Sequence, residues 1–220
     1  MQAWQFDHYG HYSEALHWVE RPAPIPGEGQ ALVRTRAMSL NFPDLLIIQG
    51  LYQHKAPLPA VPGVEGVGVV EAVGPGSKFK VGDRAVGFSH AGGTLADLFL
   101  VNNRAAWTVP DHVSDEQAAA LSVTYGTSYF GLVHRAHLQA GETLLVLGAA
   151  GGVGLAAIQL GKSMGATVIA CAGDSTKLQV CRNNGADHVI NYREEDLVER
   201  VKAITGGAGA DVIYDPVGGD

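Results

Sequence analysis

Residues 143–154, TLLVLGAAGGVG, constrain this 220-residue chain more than any other stretch. An apolar strand-like run enters a glycine-rich turn, and an apolar-periodic segment, VGLAAIQLGKSMGA, follows at once. A short strand apolar on both faces predicts a parallel sheet covered by helices on both sides. The grammar then repeats. TVIACAG reads as a second strand, and TKLQVCRNNG as a helix closed by Gly185 as its C′ residue. DHVIN reads as a third strand, DLVERVKAITG as a helix with Leu197, Val201 and Ile204 at i, i+4, i+7, and DVIYDPVGG as a fourth strand. In the first helix Leu160 and Met164 are among the positions expected to face inward. Repeated βα units predict a right-handed, doubly wound parallel sheet. The sequence given stops after its fourth strand, which leaves an apolar edge; the expectation is a fragment, or an edge covered by a partner.

The turn GAAGGVG (148–154) sits in the strand–turn–helix context that a phosphate-binding loop requires. Its residues have separate expected tasks. Gly151 lets the backbone approach a pyrophosphate, and Gly154 lets the helix pack close to the strand. Ala150, Gly152 and Val153 complete the turn and the first N–H groups, which face the anion with the helix dipole behind them. Where the usual pattern has its first glycine stands Ala149, so the turn must tolerate a Cβ there. The alternative is a glycine-rich turn that only packs a helix on a sheet.

The end of the second strand, ACAGDSTK, speaks to the cofactor. NAD-binding sheets place an acid here for the ribose 2′-OH. This strand ends in Ala172 and Gly173, and Asp174 comes too late, in the turn. Ser175, Lys177 and, after the third strand, Tyr192 and Arg193 stand nearby in the expected fold. A small residue with Lys, Tyr and Arg suits a 2′-phosphate, which predicts NADPH. The alternative for Lys177 and Arg193 is an ordinary solvated helix start.

Residues 1 to about 122 follow a different grammar, with short strands punctuated by Gly and Pro. Strands are expected at 31–41, 64–74, 81–88 and 95–101, with a stiff loop at 21–30 and one helical piece at 43–50. A barrel or rolled sheet follows from this pattern. Ser114 and Gln117 form a capping-box pair, and a helix is expected from there with a break at Gly126. The domains are therefore 1–122 and 123–220.

Composition narrows the function class. Net charge is −7 with scattered signs, so no basic stripe argues for nucleic acid or a membrane surface. The start MQAWQFDHYG lacks the regions of a signal peptide, and no apolar run approaches the roughly 20 residues of a bilayer span. Cys171 and Cys181 are the two cysteines and read as reduced thiols. These observations describe a soluble, cytoplasmic protein.

Six segments carry a family resemblance: NFPDLLIIQGLY (41–52), VPGVEGVGVVEAVG (61–74), VGDRAVGF (81–88), AAALSVTYGTSYFGL (118–132), GETLLVLGAAGGVGLAAIQLGKSMGATVIA (141–170) and GADHVINYREED (185–196). In order and spacing the chain resembles the medium-chain dehydrogenase/reductase superfamily, in its zinc-free quinone oxidoreductase branch. The resemblance implies a GroES-like first domain and a Rossmann second domain with the active site in the cleft between them. It also implies further strands after residue 220, through which family members form homodimers.

In the zinc-dependent members a Cys stands where this chain has Asn41, and a His where it has Val64. A tetrahedral zinc needs converging Cys, His or carboxylate ligands, and these two residues cannot supply them. The pair His134 and His137, at i, i+3, lacks an acid or thiol partner. Without zinc the hydride acceptor must be activated by its own conjugation, as in quinones and α,β-unsaturated ketones. The protein then has to bind, orient and hydrogen-bond the acceptor oxygen. By resemblance Asn41 and Tyr52 line the substrate side and Thr127 lies near the nicotinamide; either the Tyr52 hydroxyl or the Asn41 amide is expected to polarise that oxygen. A loop aromatic capping the barrel is the alternative for Tyr52, and a backbone-satisfying helix hydroxyl for Thr127. Glu65, beside Val64, is left without a metal to serve and is expected to bond the glycine-rich backbone around it or to pair with a cation. Two further functions stay open: reduction of an enoyl thioester or 2-alkenal, and a non-catalytic NADPH-binding role on the same fold.

Overall fold

The computed structural model describes residues 1–89 and 92–218. The chain divides into two compact units, Met1–Val123 and Thr124–Asp220.

The first unit opens with β1 (Gln2–Phe6), the single turn α1 (Tyr12–Ala15) and β2 (Leu16–Glu20), an antiparallel ribbon in which Trp4 faces Trp18. This ribbon adds to the strands expected from sequence. β3 (Gln30–Ser39) leads to α2 (Phe42–Ile48), then β4 (Glu65–Val73), β5 (Arg84–Phe88), β6 (Leu98–Asn102) and β7 (Ala106–Thr108). These five strands form one antiparallel sheet in the order β6-β3-β4-β5-β7. Its two edge strands are consecutive in the chain, so the sheet rolls toward itself, as the short-strand pattern predicts. One face buries Val33, Val70, Phe79, Phe99 and Val101, and the other buries Val67 and Val86 with Ala118 and Ala119 of α3 (Asp115–Ala119).

The capping box at Ser114 and Gln117 is present. The helix does not run on to Gly126, however. It stops at Ala120, and Gly126 lies inside a new helix, α4 (Thr124–Tyr129), followed by a π-helical turn, Phe130–Arg135. The physical reason for the earlier break is visible at Val123. Its N–H donates to the Glu65 carboxylate at 2.8 Å rather than to a carbonyl one turn back. His137 lies beyond the π-helical turn in a left-handed conformation (φ 54°), so it shares no helix face with His134.

The second unit contains β8 (Thr143–Val146), α5 (Gly152–Ser163), β9 (Thr167–Ala172), α6 (Ser175–Asn183), β10 (His188–Asn191), α7 (Leu197–Ile204) and β11 (Val212–Tyr214). All four strands are parallel, in the order β10-β9-β8-β11. The chain therefore steps outward from β8 to β10, and the fourth strand returns to the other side of β8, the doubly wound arrangement. Leu144 and Val146 face the helices α5 and α6, while Leu145 packs with Ile169, Ile190 and Val201 on the α7 side. α5 approaches the sheet through Ala157, Ile158 and Gly161, all buried, with Leu160 and Met164 partly buried against the same core. The fourth strand is shorter than the sequence pattern predicts. After Tyr214 the Asp215 carboxylate accepts the N–H groups of Val217 (3.0 Å) and Gly218 (3.1 Å), a local turn that competes with the ladder. Gly219 of the expected strand, and His90 among the nine histidines, lie outside the described residues.

Candidate functional site

The candidate site residues fall into two groups, one in each unit. The first is the glycine turn of the second unit. Residues 147–149 leave the carboxyl end of β8 tied on both sides: Leu147 N–H donates to Tyr214 O of β11 (3.0 Å) and Ala149 N–H to Cys171 O of β9 (3.0 Å). The turn thus sits where the strand order reverses, the place at which such sheets bind ligands. Gly148 takes the left-handed conformation (φ 56°), and the Ala149 methyl is fully buried in the core. The turn tolerates a Cβ at Ala149 because the glycine before it makes the bend.

Gly154 answers a close approach. A Cβ there would lie 2.6 Å from Ala149 O and 2.7 Å from Ala149 C and Cα, all backbone atoms. Gly151 differs: a Cβ would meet only Gly148 O at 3.6 Å, an ordinary contact. The fold itself does not require glycine at Gly151. Gly151 and Gly152 are exposed, Ala150 and Val153 half-buried, and no side chain caps α5. The first N–H groups of a 12-residue helix therefore face outward beside two residues without side chains. Thr127 is exposed on α4. Its neighbour Ser128, which no local sequence signal marks, is fully buried and donates to Val153 O at 2.8 Å, fixing α4 against the start of α5.

At the end of β9 the structure brings Gly173 under Tyr192 and Arg193. A Cβ on Gly173 would lie 2.7 Å from the Tyr192 hydroxyl and 3.0 Å from Arg193 Nε. Asp174 is engaged elsewhere: it caps α6, accepting the Lys177 N–H at 2.9 Å, and its other oxygen lies 3.4 Å from Lys177 Nζ. These contacts, led by the Lys177 N–H, hold its carboxyl below the usual range. Ser175, Lys177, Tyr192 and Arg193 are all exposed around Gly173.

The second group lies in the first unit, where β3 ends and β4 begins. Glu65 is fully buried. One carboxylate oxygen accepts the Ser39 hydroxyl and the Asn41 side-chain amide (2.9 Å), and the other accepts Val123 N–H (2.8 Å). Neither the glycine backbone nor a cation supplies these donors, contrary to the sequence expectation. Thr94 Oγ1 donates to the Glu65 carbonyl at 3.0 Å. Asp44 is also buried and accepts the N–H groups of Asn41 (2.8 Å) and Gly63 (3.1 Å). Burial holds its carboxyl above the ordinary value, with Glu65 adding to the rise and the two N–H groups opposing it. Asp44 sits three residues after Asn41, a spacing that by itself signals a helix start.

Val64 is buried in an apolar cluster with Phe6, Ile47 and Ile48, and Tyr52 packs partly buried against the same cluster. A cavity of about 470 Å³ opens beside Asn41 and Asp44, lined otherwise mainly by apolar residues such as Leu16, Leu45 and Ile48. Asn41 borders it and Tyr52 does not, so the two expected catalytic residues do not meet at this cavity. Among the described residues no three His, Cys, Asp or Glu side chains converge as a metal would require, and no helix is long and apolar enough to cross a membrane.

Comparison with known proteins adds the following. Residues 27–111 match the family model of the alcohol dehydrogenase GroES-like domain, and residues 152–220 that of zinc-binding dehydrogenase. Quinone oxidoreductase from Pongo abelii is 39% identical over 193 residues, covering 87% of this chain and 59% of that protein. The synaptic vesicle membrane protein VAT-1 homolog from Homo sapiens is 41% identical over 202 residues, covering 90% of this chain and 51% of that one. The crystal structure of Escherichia coli quinone oxidoreductase complexed with NADPH superposes with a TM-score of 0.92 at 39% identity, covering 100% of this chain and 67% of that chain. The chain spans between half and three fifths of the length of these curated relatives.

Proposed function

Because this chain belongs to the medium-chain dehydrogenase/reductase superfamily, in its quinone oxidoreductase branch, we propose that it serves zinc-independent hydride transfer from NADPH to a quinone or other conjugated carbonyl. The observation that carries the reading is the fate of the two residues standing where zinc-dependent members have ligands. Val64 is buried among apolar side chains, and the Asn41 amide is turned into Glu65. A nitrogen that donates to a carboxylate and an isopropyl group do not make half of a tetrahedral zinc site. The acceptor must then bring its own conjugation.

The residues of the second unit fit a dinucleotide. Ala150, Gly151, Gly152 and Val153 present the uncapped start of α5 to a pyrophosphate, and Gly154 seats that helix against the turn. Gly173, with no side chain of its own, lets Tyr192 and Arg193 close over the end of β9, and with the exposed Ser175 and Lys177 they are the groups that would bind a 2′-phosphate. Thr127 lies on the nicotinamide side in this reading. The cofactor, when bound, supplies the hydride. The protein holds the acceptor and hydrogen-bonds its developing oxyanion through the Asn41 amide or the Tyr52 hydroxyl, a role worth about 3 kcal/mol per well-placed donor. A cytoplasmic setting and a homodimer accompany this reading.

Two measurements test it. Fluorescence titration should show NADPH binding, with Lys177→Ala raising the Kd for NADPH far more than for NADH; equal effects would remove the 2′-phosphate assignment. A panel of quinones, enones and enoyl thioesters should show turnover on the first two classes. Asn41→Ala with Tyr52→Phe should cut that turnover and leave NADPH binding intact. NADPH binding without turnover on any acceptor would replace the reading with a non-catalytic one, and turnover confined to thioesters with enoyl reduction.

A further inference from the structure

Glu65 has no task in that reaction, yet it is a fully buried carboxylate. Keeping such a group in the folded chain is costly unless donors surround it. The Ser39 hydroxyl, the Asn41 amide and Val123 N–H donate to it, and all three are neutral. One of them belongs to the residue expected to touch the acceptor, and another to the last residue of the first unit.

Geometry says what this achieves at Asn41. A side-chain amide is nearly symmetric in shape but not in chemistry, and a carboxylate, which only accepts, decides that its nitrogen turns inward. The Asn41 nitrogen lies 2.9 Å from Glu65 Oε1 and 3.0 Å from Ser39 Oγ. Those two oxygens are themselves hydrogen-bonded, so both lie on the same side of the nitrogen. The two N–H bonds of an amide diverge, so one serves this buried pair and the other points away from it. The cavity beside Asn41 shows that this residue borders open space.

We propose that Glu65 is a positioning residue: it fixes the Asn41 amide so that its second N–H is presented to the acceptor oxygen. The inference rests on the reading of Asn41 as acceptor-facing. The other carboxylate oxygen holds Val123 N–H at the same time. Replacing Glu65 by Gln therefore cannot satisfy both sides, because its NH₂ must face either Val123 N–H or the Asn41–Ser39 pair. A main-chain N–H cannot turn and a side-chain amide can, so the introduced carbonyl keeps Val123 N–H and the Asn41 amide turns over. The double change Glu65→Gln with Asn41→Asp restores complementarity, since the introduced NH₂ can donate to a carboxylate at position 41 while the introduced carbonyl accepts Val123 N–H.

The test uses ¹⁵N-labelled protein, NADPH and a benzoquinone. In the wild type the Asn41 side-chain amide should show one downfield proton that exchanges slowly beside one ordinary proton. Glu65→Gln should abolish that difference. It should also lower kcat about tenfold to a hundredfold, the loss of one well-placed hydrogen bond, with the KM for NADPH changed less than about twofold. The double variant should recover thermal stability over Glu65→Gln alone, which keeps the test decisive if the single variant does not fold. Two ordinary amide protons in the wild type, an unchanged kcat in Glu65→Gln, or a double variant no more stable than the single one would each overturn the proposal. A wild type that binds NADPH but reduces no acceptor would instead refute the proposed function, and the amide signals and the stability comparison would still decide whether Glu65 orients Asn41.

Discussion

Gly154→Ala is the substitution whose outcome the structure determines most tightly. A methyl at this position would sit 2.6 Å from Ala149 O and 2.7 Å from two further backbone atoms, whereas ordinary contact begins at 3.4 Å. The shortfall is roughly 0.8 Å, and no rotamer relieves it, because the obstructing atoms are backbone. α5 must move off the β8–α5 turn. Ala157, Ile158 and Gly161 then lose contact with the sheet together, since they pack on the same helix face. A gap of 0.5–1 Å forfeits about a quarter to a half of each contact's attraction. Overpacking of this kind costs about 3 kcal/mol at its upper range, and the better helix propensity of Ala offsets about 1 kcal/mol. The net loss is about 2 kcal/mol. For a unit of about 100 residues that lowers Tm by about 8–16 °C.

The matched control is Gly126→Ala. Gly126 is exposed in α4, its φ is not left-handed, and a Cβ there meets nothing within 4 Å. The same chemical change should raise stability by about 0.5–1 kcal/mol through helix propensity and a less flexible unfolded chain. Calorimetry of the two variants beside the wild type reads the difference in sign. If Gly154→Ala melts at or above the wild-type temperature, the close approach of α5 to the turn is wrong, and with it the structural reason for this glycine.

Three further outcomes follow from the same structure. Gly151→Ala should leave Tm within about 2 °C, because its Cβ meets only Gly148 O at 3.6 Å, yet raise the Kd for NADPH at least about tenfold in a fluorescence titration; unchanged binding would detach Gly151 from the pyrophosphate. Asp44 holds its proton in the folded chain at a pH where the unfolded chain has released it, so its contribution is fully present below about pH 3.8 and is lost as pH rises through the raised folded value. In urea titrations from about pH 3.5 to about pH 7, Asp44→Asn should therefore gain on the wild type as pH rises, and a pH-independent difference would refute the assignment. Cys171 is fully buried with its thiol pushed up to about 12 by burial, and Cys181 is raised by burial as well, so a thiol reagent should label neither in the native protein and both in denaturant. Rapid native labelling would contradict that packing.

What can be read from the sequence divides by the range of the interaction. The second unit is legible because its signals are local. A strand apolar on both sides, a glycine turn and a helix period each report on a few consecutive residues, and repetition of the βα unit sets the topology. The meeting of Gly173 with Tyr192 and Arg193 is also legible, since parallel strands end at the same side of a sheet. The ribbon of β1 and β2 is not, because its two strands are separated by a loop with a helical turn and no two-residue hairpin signal. The break before Thr124 escapes for a related reason. It depends on a hydrogen bond between Val123 and a side chain 58 residues away in sequence, Glu65, and no local pattern encodes that.

The stretch around Glu65 shows what a sequence leaves silent: which donors a buried acid collects. The identities of Val64 and Asn41 do not tell where the Glu65 carboxylate turns. The structure supplies the answer through Ser39, which carries no motif of its own: its hydroxyl donates to Glu65 and accepts from Asn41, closing the triangle. A buried acid whose donors are all neutral is stable only as part of such a set, because each donor removed leaves a charge that burial penalises. The identities of Ser39, Asn41 and Glu65 are therefore coupled, and changing any one alone should be harsher than changing a complementary pair.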